Sequence, residues 1–166
     1  MLTYDVQSER LSGTVGAEHF DVRAVSGGGR GSKVRPEGQE TLRSWLVGTK
    51  EDEARGVRGG PIPPGFYVCC YLQSHPPFGE CIFLEQTLTS LIVRSPESAI
   101  GIALRDRDGF YIHGQGPKGS DGCIVPMIES ERKRLNKAVK ANPGTPLRVI
   151  NPYVPVDVGR PGRAFA

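Results

Sequence analysis

One short segment holds two residues whose types and spacing suit covalent chemistry. In Phe110-Tyr111-Ile112-His113-Gly114-Gln115-Gly116-Pro117-Lys118-Gly119-Ser120-Asp121-Gly122-Cys123-Ile124-Val125, a His closes one apolar run and a Cys opens the next, with a glycine-rich loop between. Such a loop can fold back and set the two strand ends side by side. The imidazole then comes within reach of the thiol, as an activated cysteine nucleophile requires. Proton loss to His113, or an imidazolium beside the sulfur, lowers a thiol pKa from about 8.5 and raises the thiolate fraction. Gly122 lets the backbone approach a substrate closely, and the N–H groups of Gly122 and Cys123 are candidate oxyanion donors. The plainer alternatives are a structural His at a strand end and a Cys that fills space. Metal binding finds no further ligands nearby in sequence, so neither a metal nor a cofactor is expected.

The elements that must position this pair are short. The chain has 22 Gly and 14 Pro, which signals many turns and short strands rather than long helices. Residues 3–25 read as two strands: Tyr4 and Val6 alternate with polar neighbours, Ser12-Gly13 turns, and His19 to Val25 alternates again. Ser26 to Ser32 is a glycine-rich loop. No Lys-Ser/Thr pair opens a helix behind it, which argues against a phosphate cradle. Within the polar stretch 36–58, Leu42, Trp45 and Leu46 would share a face of a short helix over Glu40–Val47. After a rigid turn at Gly59–Gly65, strands are expected at Phe66–Leu72, Cys81–Leu84, Leu91–Arg94, Ala99–Leu104 and Phe110–His113. Cys123–Val125 leads to a helix over Ile128–Val139 and a last strand at Pro146–Ile150. Residues 1–150 make one domain, and 151–166 an extended tail.

Bulk properties bound the function. The 166 residues suit one domain, and 37% hydrophobic with 23% charged residues lies in the globular range. The net charge of +3 comes from scattered basic residues, whereas a nucleic-acid binder concentrates them on one face. Mild basicity favours approach to an anionic polymer. No run approaches a membrane span. Met1 to Arg10 lacks the basic and apolar regions of a secretory leader, so synthesis in the cytoplasm without a signal peptide is expected. Four cysteines, Cys69, Cys70, Cys81 and Cys123, show no zinc spacing. A bridge from Cys81 to Cys69 or Cys70 is open, as is burial of all three as small apolar residues.

His113-Gly114, a loop, and Ser120-Asp121-Gly122-Cys123-Ile124 together resemble the L,D-transpeptidase (YkuD-like) signature. More closely, the chain is similar to the type VI secretion L,D-transpeptidase effector family over about residues 2–140. The shared features are Leu2-Thr3-Tyr4 with Arg10-Leu11, the Ser26–Ser32 loop, Gly60-Pro61-Ile62-Pro63-Pro64-Gly65-Phe66-Tyr67, and the His and Cys segments. The resemblance implies a mainly β, L,D-transpeptidase-like sandwich or barrel with one short helix after the catalytic Cys. It implies that Cys123 is nucleophile and His113 base, working through a thioester as L,D-carboxypeptidase or exchange transpeptidase. Gly122 then belongs to the catalytic loop, and Ser120, Asp121 and Gly114 to the substrate-binding surface.

Two departures matter. Ordinary L,D-transpeptidases carry Ser-His-Gly-Cys-x-Arg, but Asp121 stands in place of that His and Val125 in place of that Arg. Arg105 and Arg107, on one face if extended, are the expected substitutes for carboxylate recognition. The stretch 36–58 is longer than the family pattern and reads as a capping loop. The implied partners are peptidoglycan stem peptides, a cognate immunity protein and secretion machinery, with action in a target cell's periplasm. Two other readings stay open: a cysteine amidase or endopeptidase, whose usual order puts Cys before His, and a non-catalytic cell-wall-binding module of the same fold.

Overall fold

Alternating apolar residues build the sheet strand by strand in the computed structural model, which describes residues 1–27, 60–87, 109–114, 120 and 122–150. The strands are β1 (Leu2–Asp5), β2 (Arg10–Val15), β3 (Glu18–Ser26), β4 (Gly65–His75), β5 (Gly79–Gln86), β6 (Phe110–Ile112), β7 (Ile124–Pro126) and β8 (Thr145–Ile150). One helix, α1 (Glu129–Ala141), lies between β7 and β8. In the order β1-β2-β3-β7-β6-β5-β4-β8 the strands close into a barrel. Two ladders are parallel: β1 with β8, where Leu2 faces Leu147, and β6 with β7, where Ile112 faces Ile124. The others are antiparallel. The expected mainly β class, with a short helix after Cys123, is therefore what the described residues form, and the barrel is the form it takes.

The core collects the inward residues of each strand, among them Leu2, Tyr4, Leu11, Phe20, Ile82 and Ile124, with Leu135, Ala138 and Val139 of α1. Buried tyrosines satisfy their hydroxyls on backbone: Tyr4 donates to the Ala24 carbonyl at 3.1 Å and Tyr67 to the Pro63 carbonyl at 2.7 Å. Arg134 holds α1 to β3. Its guanidinium lies 4.0 Å over the Phe20 ring and pairs with Glu18 at 2.9 Å and Glu131 at 2.8 Å.

The opening segment corrects the sequence reading. It holds three strands rather than two, and Ser12-Gly13 lies inside β2 rather than at a turn. Gly13 is needed because β1 passes so close: a Cβ there would sit 2.2 Å from the Met1 carbonyl oxygen, and its φ is +126°. The chain reverses instead around Glu9, at φ +54°, and Gly16, at φ +59°. The helix begins and ends within two residues of the expected bounds, the usual uncertainty of helix ends. The expected helix at Glu40–Val47, the strands at Leu91–Arg94 and Ala99–Leu104, and the 151–166 tail lie outside the described residues.

Candidate active site

β6 delivers His113 and β7 receives the chain from Cys123. The His113 amide donates to the Ile124 carbonyl at 3.2 Å, a bond of the parallel pairing between Ile112 and Ile124. His113 follows, and Cys123 precedes, the bridged pair Ile112 and Ile124. Strand spacing and rise put their Cα atoms about 8 Å apart on a diagonal. Since Ile112 and Ile124 both fill the core, alternation turns the two flanking side chains to the other face of the ladder. The His113 and Cys123 segments thus lie on adjacent strands.

The imidazole is held on two sides. His113 Nδ1 makes a short hydrogen bond with the Gly114 carbonyl oxygen. A carbonyl only accepts, so Nδ1 carries the proton, and in the neutral ring Nε2 is left as the acceptor a general base needs. The ring of Phe78, from the β4–β5 hairpin, stacks on His113 at 3.9 Å between centroids and 12° between planes. Phe78 also packs on Tyr111, which stacks on His75 at 4.8 Å. His113 is only 6% exposed. Burial lowers its pKa below the ordinary value; the bond to Gly114 opposes this and the Arg132 charge reinforces it. The orienting partner of His113 is thus a main-chain carbonyl, which no side-chain motif announces.

The Cys123 loop is braced by Ser120 and Ser26. Ser120, 5% exposed, accepts hydrogen bonds from the Gly27 and Gly122 amides, both at 3.3 Å, and donates to the Cys123 carbonyl at 2.6 Å. Its amide donates to the Gly27 carbonyl at 3.0 Å. Ser26 donates to the Gly122 carbonyl at 2.9 Å and accepts from the Ile62 amide at 2.9 Å. The Gly-Pro-Ile-Pro-Pro-Gly element is therefore tied to the Cys123 loop through one serine, a role sequence analysis did not foresee for Ser26. The Ser120 hydroxyl expected to meet substrate is used internally three times. A developing oxyanion would compete with it for the Gly122 amide. Gly122 itself has φ +119°, a conformation that requires glycine.

Of the other expected residues, Gly114 lies against the Arg132 guanidinium: a Cβ there would come within 2.8 Å of Nε. Arg105, Arg107 and Asp121 lie outside the described residues. Cys123 and Cys70 are half-buried, whereas Cys69 and Cys81 are buried. Burial pushes Cys69 up to about 12 and raises Cys70 and Cys81 as well, so all three are held protonated. Cys69 faces Leu84, Cys70 faces Phe83 and Cys81 faces Leu72, and all four cysteines are free thiols. That register keeps Cys81 about 8 Å or more from either neighbour, beyond the reach of a bridge. No group of three potential metal ligands occurs among the described residues.

No protein-family profile matches the chain, and no curated protein sequence does either. Among solved structures it is similar to L,D-transpeptidase 1 of Mycobacterium tuberculosis, with 12% identity and a TM-score of 0.41. That similarity covers 90% of this chain and 60% of the other, so this chain spans less than two thirds of that chain's length. The roles of individual residues rest on the geometry above.

Proposed function

We propose that this protein is a cysteine acyltransferase of the L,D-transpeptidase kind that acts on peptidoglycan stem tetrapeptides. The observation that supports it most is the oriented imidazole of His113, whose Nδ1 is bound to a backbone carbonyl, on the strand adjoining the Cys123 loop. The substrate class is supported by the His-Gly and Ser-x-Gly-Cys motifs. In the first step the Cys123 sulfur attacks the carbonyl carbon between the third stem residue and the terminal D-alanine. The thiol proton passes to His113 Nε2. The carbon–sulfur bond forms, the carbon–nitrogen bond breaks, and His113 returns the proton to the departing amine. In the second step water, deprotonated by His113, releases the tripeptide acid and restores the thiol. A D-amino acid amine in place of water gives exchange. An antibacterial role in a target cell's periplasm, with a cognate immunity protein and secretion machinery as partners, is part of this proposal.

The test is the muropeptide profile after incubation with wild type and with Cys123→Ala. Wild type converts tetrapeptide stems to tripeptide, or to the exchanged product when a D-amino acid is added, and Cys123→Ala does neither. Turnover by a folded Cys123→Ala protein would reject the proposal. His113→Ala is expected to lose roughly 10²–10⁴-fold in rate.

A further inference from the structure

Arg132, in the first turns of α1, has a side chain only 15% exposed. Its carboxylate neighbour among the described residues, Glu129, stands 3.8 Å away, is 69% exposed and pairs more closely with Lys133 at 2.9 Å. Long basic side chains at a surface normally extend their charge into water. Arg132 instead lays its guanidinium against the main chain of Gly114, where an added Cβ would be 2.8 Å from Nε and 3.0 Å from Cζ. Gly114 is the residue whose carbonyl orients His113. A nearly enclosed cation is therefore held beside His113 with no closely bound carboxylate among the described residues to neutralise it, a costly arrangement unless an anion arrives from outside.

We infer that Arg132 is the anion anchor of the site and that it binds the carboxylate of the residue expelled from the substrate. The side of the site follows from the chemistry. The acyl group stays on the Cys123 sulfur, while the leaving amine takes its proton from His113. A cation packed on the His113–Gly114 corner therefore meets the leaving side of the scissile bond. A planar guanidinium takes a carboxylate through two parallel hydrogen bonds. The specificity that results is for a terminal residue with a free carboxylate over an internal bond of a cross-link. Arg132 thereby takes the part that sequence position gave to Arg105 or Arg107. The inference rests on the proposed function for its reaction, but carboxylate binding by Arg132 can be measured without turnover.

The first arm compares kcat/KM on stem tetrapeptides ending in D-alanine and in D-alaninamide. Wild type favours the free acid by about 10–150-fold, the value of one charge-assisted hydrogen bond. In Arg132→Gln the acid-over-amide ratio falls to about one. Arg132→Lys, which keeps the charge without the fork, gives an intermediate ratio. Equal turnover of acid and amide by wild type, or a preference that survives in Arg132→Gln, overturns the inference while leaving the proposed function intact. The second arm titrates N-acetyl-D-alanine and its amide while the His113 ring resonances are followed by NMR. The acid gives a saturable shift that is lost in Arg132→Gln, and the amide gives none. Should wild type turn over no stem peptide, the proposed function fails and this arm alone decides: matching shifts from acid and amide overturn the anchor. Thermal melts of both variants confirm folding before either arm is read.

Discussion

Replacing Ser120 by Ala removes one hydroxyl and with it three hydrogen bonds to backbone groups. The Gly27 and Gly122 amides lose an acceptor at 3.3 Å, and the Cys123 carbonyl loses a donor at 2.6 Å. A typical internal hydrogen bond contributes about 0.5–1.5 kcal/mol, so the two long contacts belong at the lower end and the short one at the upper. The sum is about 2–3 kcal/mol. Ser120 is buried, so water does not readily take over all three groups. For a domain of this size that loss lowers the melting temperature by about 4–12 °C. The functional effect should be larger than the loss of stability suggests, because Ser120 fixes Gly122 and Cys123 relative to β3. The assay pairs urea denaturation with the rate of iodoacetamide labelling at Cys123 and with turnover. A midpoint shift worth less than about 0.5 kcal/mol, with labelling and turnover unchanged, would refute the view that this hydroxyl organises the Cys123 loop.

Two further outcomes follow from single side chains. His113 must be neutral to act as a base, and its pKa, lowered from 6.5 chiefly by burial, keeps it neutral to lower pH than an exposed histidine. Phe78→Ala hydrates the stacked face of the ring, raises that pKa and moves the acidic limb of the kcat/KM profile to higher pH. A limb that stays in place or moves down rejects the assignment of Phe78 as a positioning residue. Asn136 of α1 is fully buried, and neither its Oδ1 nor its Nδ2 has a hydrogen-bond partner among the described residues. Asn136→Leu is therefore expected to match or exceed wild-type stability, by up to about 3 kcal/mol of relieved desolvation. A loss of more than about 1 kcal/mol in urea denaturation would show that the amide is satisfied in solution.

The residues differ in how far the sequence revealed them. His113 and Cys123 stood out in the sequence because a glycine-rich loop joins two apolar runs, and those runs form the adjacent strands β6 and β7, whose parallel direction the sequence did not reveal. The helix after Cys123 was legible from its local pattern. Gly13 was misread because glycine marks a close approach as well as a turn, and only the partner strand distinguishes the two. The partner of His113 was hidden because every residue carries a carbonyl. Phe78 was hidden because its ring reaches His113 from 35 positions away, out of a Pro-Pro turn whose sequence speaks only of chain reversal. Arg132 was hidden because helical periodicity does not report that Gly114 leaves a hollow for its guanidinium.

The barrel closes where β1 meets β8, and the two strands run in the same direction, with Leu2, Thr3, Tyr4 and Asp5 facing Leu147, Arg148, Val149 and Ile150. Tension applied through Leu2 and Ile150 acts on this seam from opposite ends. It slides one strand along the other, so all the bonds of the ladder bear the load together. The β4–β5 hairpin is different, because a pull at its open end parts one rung at a time. Mechanically, the protein should resist stretching along its own backbone far more than peeling from one side. Any machine that draws it through a narrow passage by one end would meet the seam as the principal obstacle.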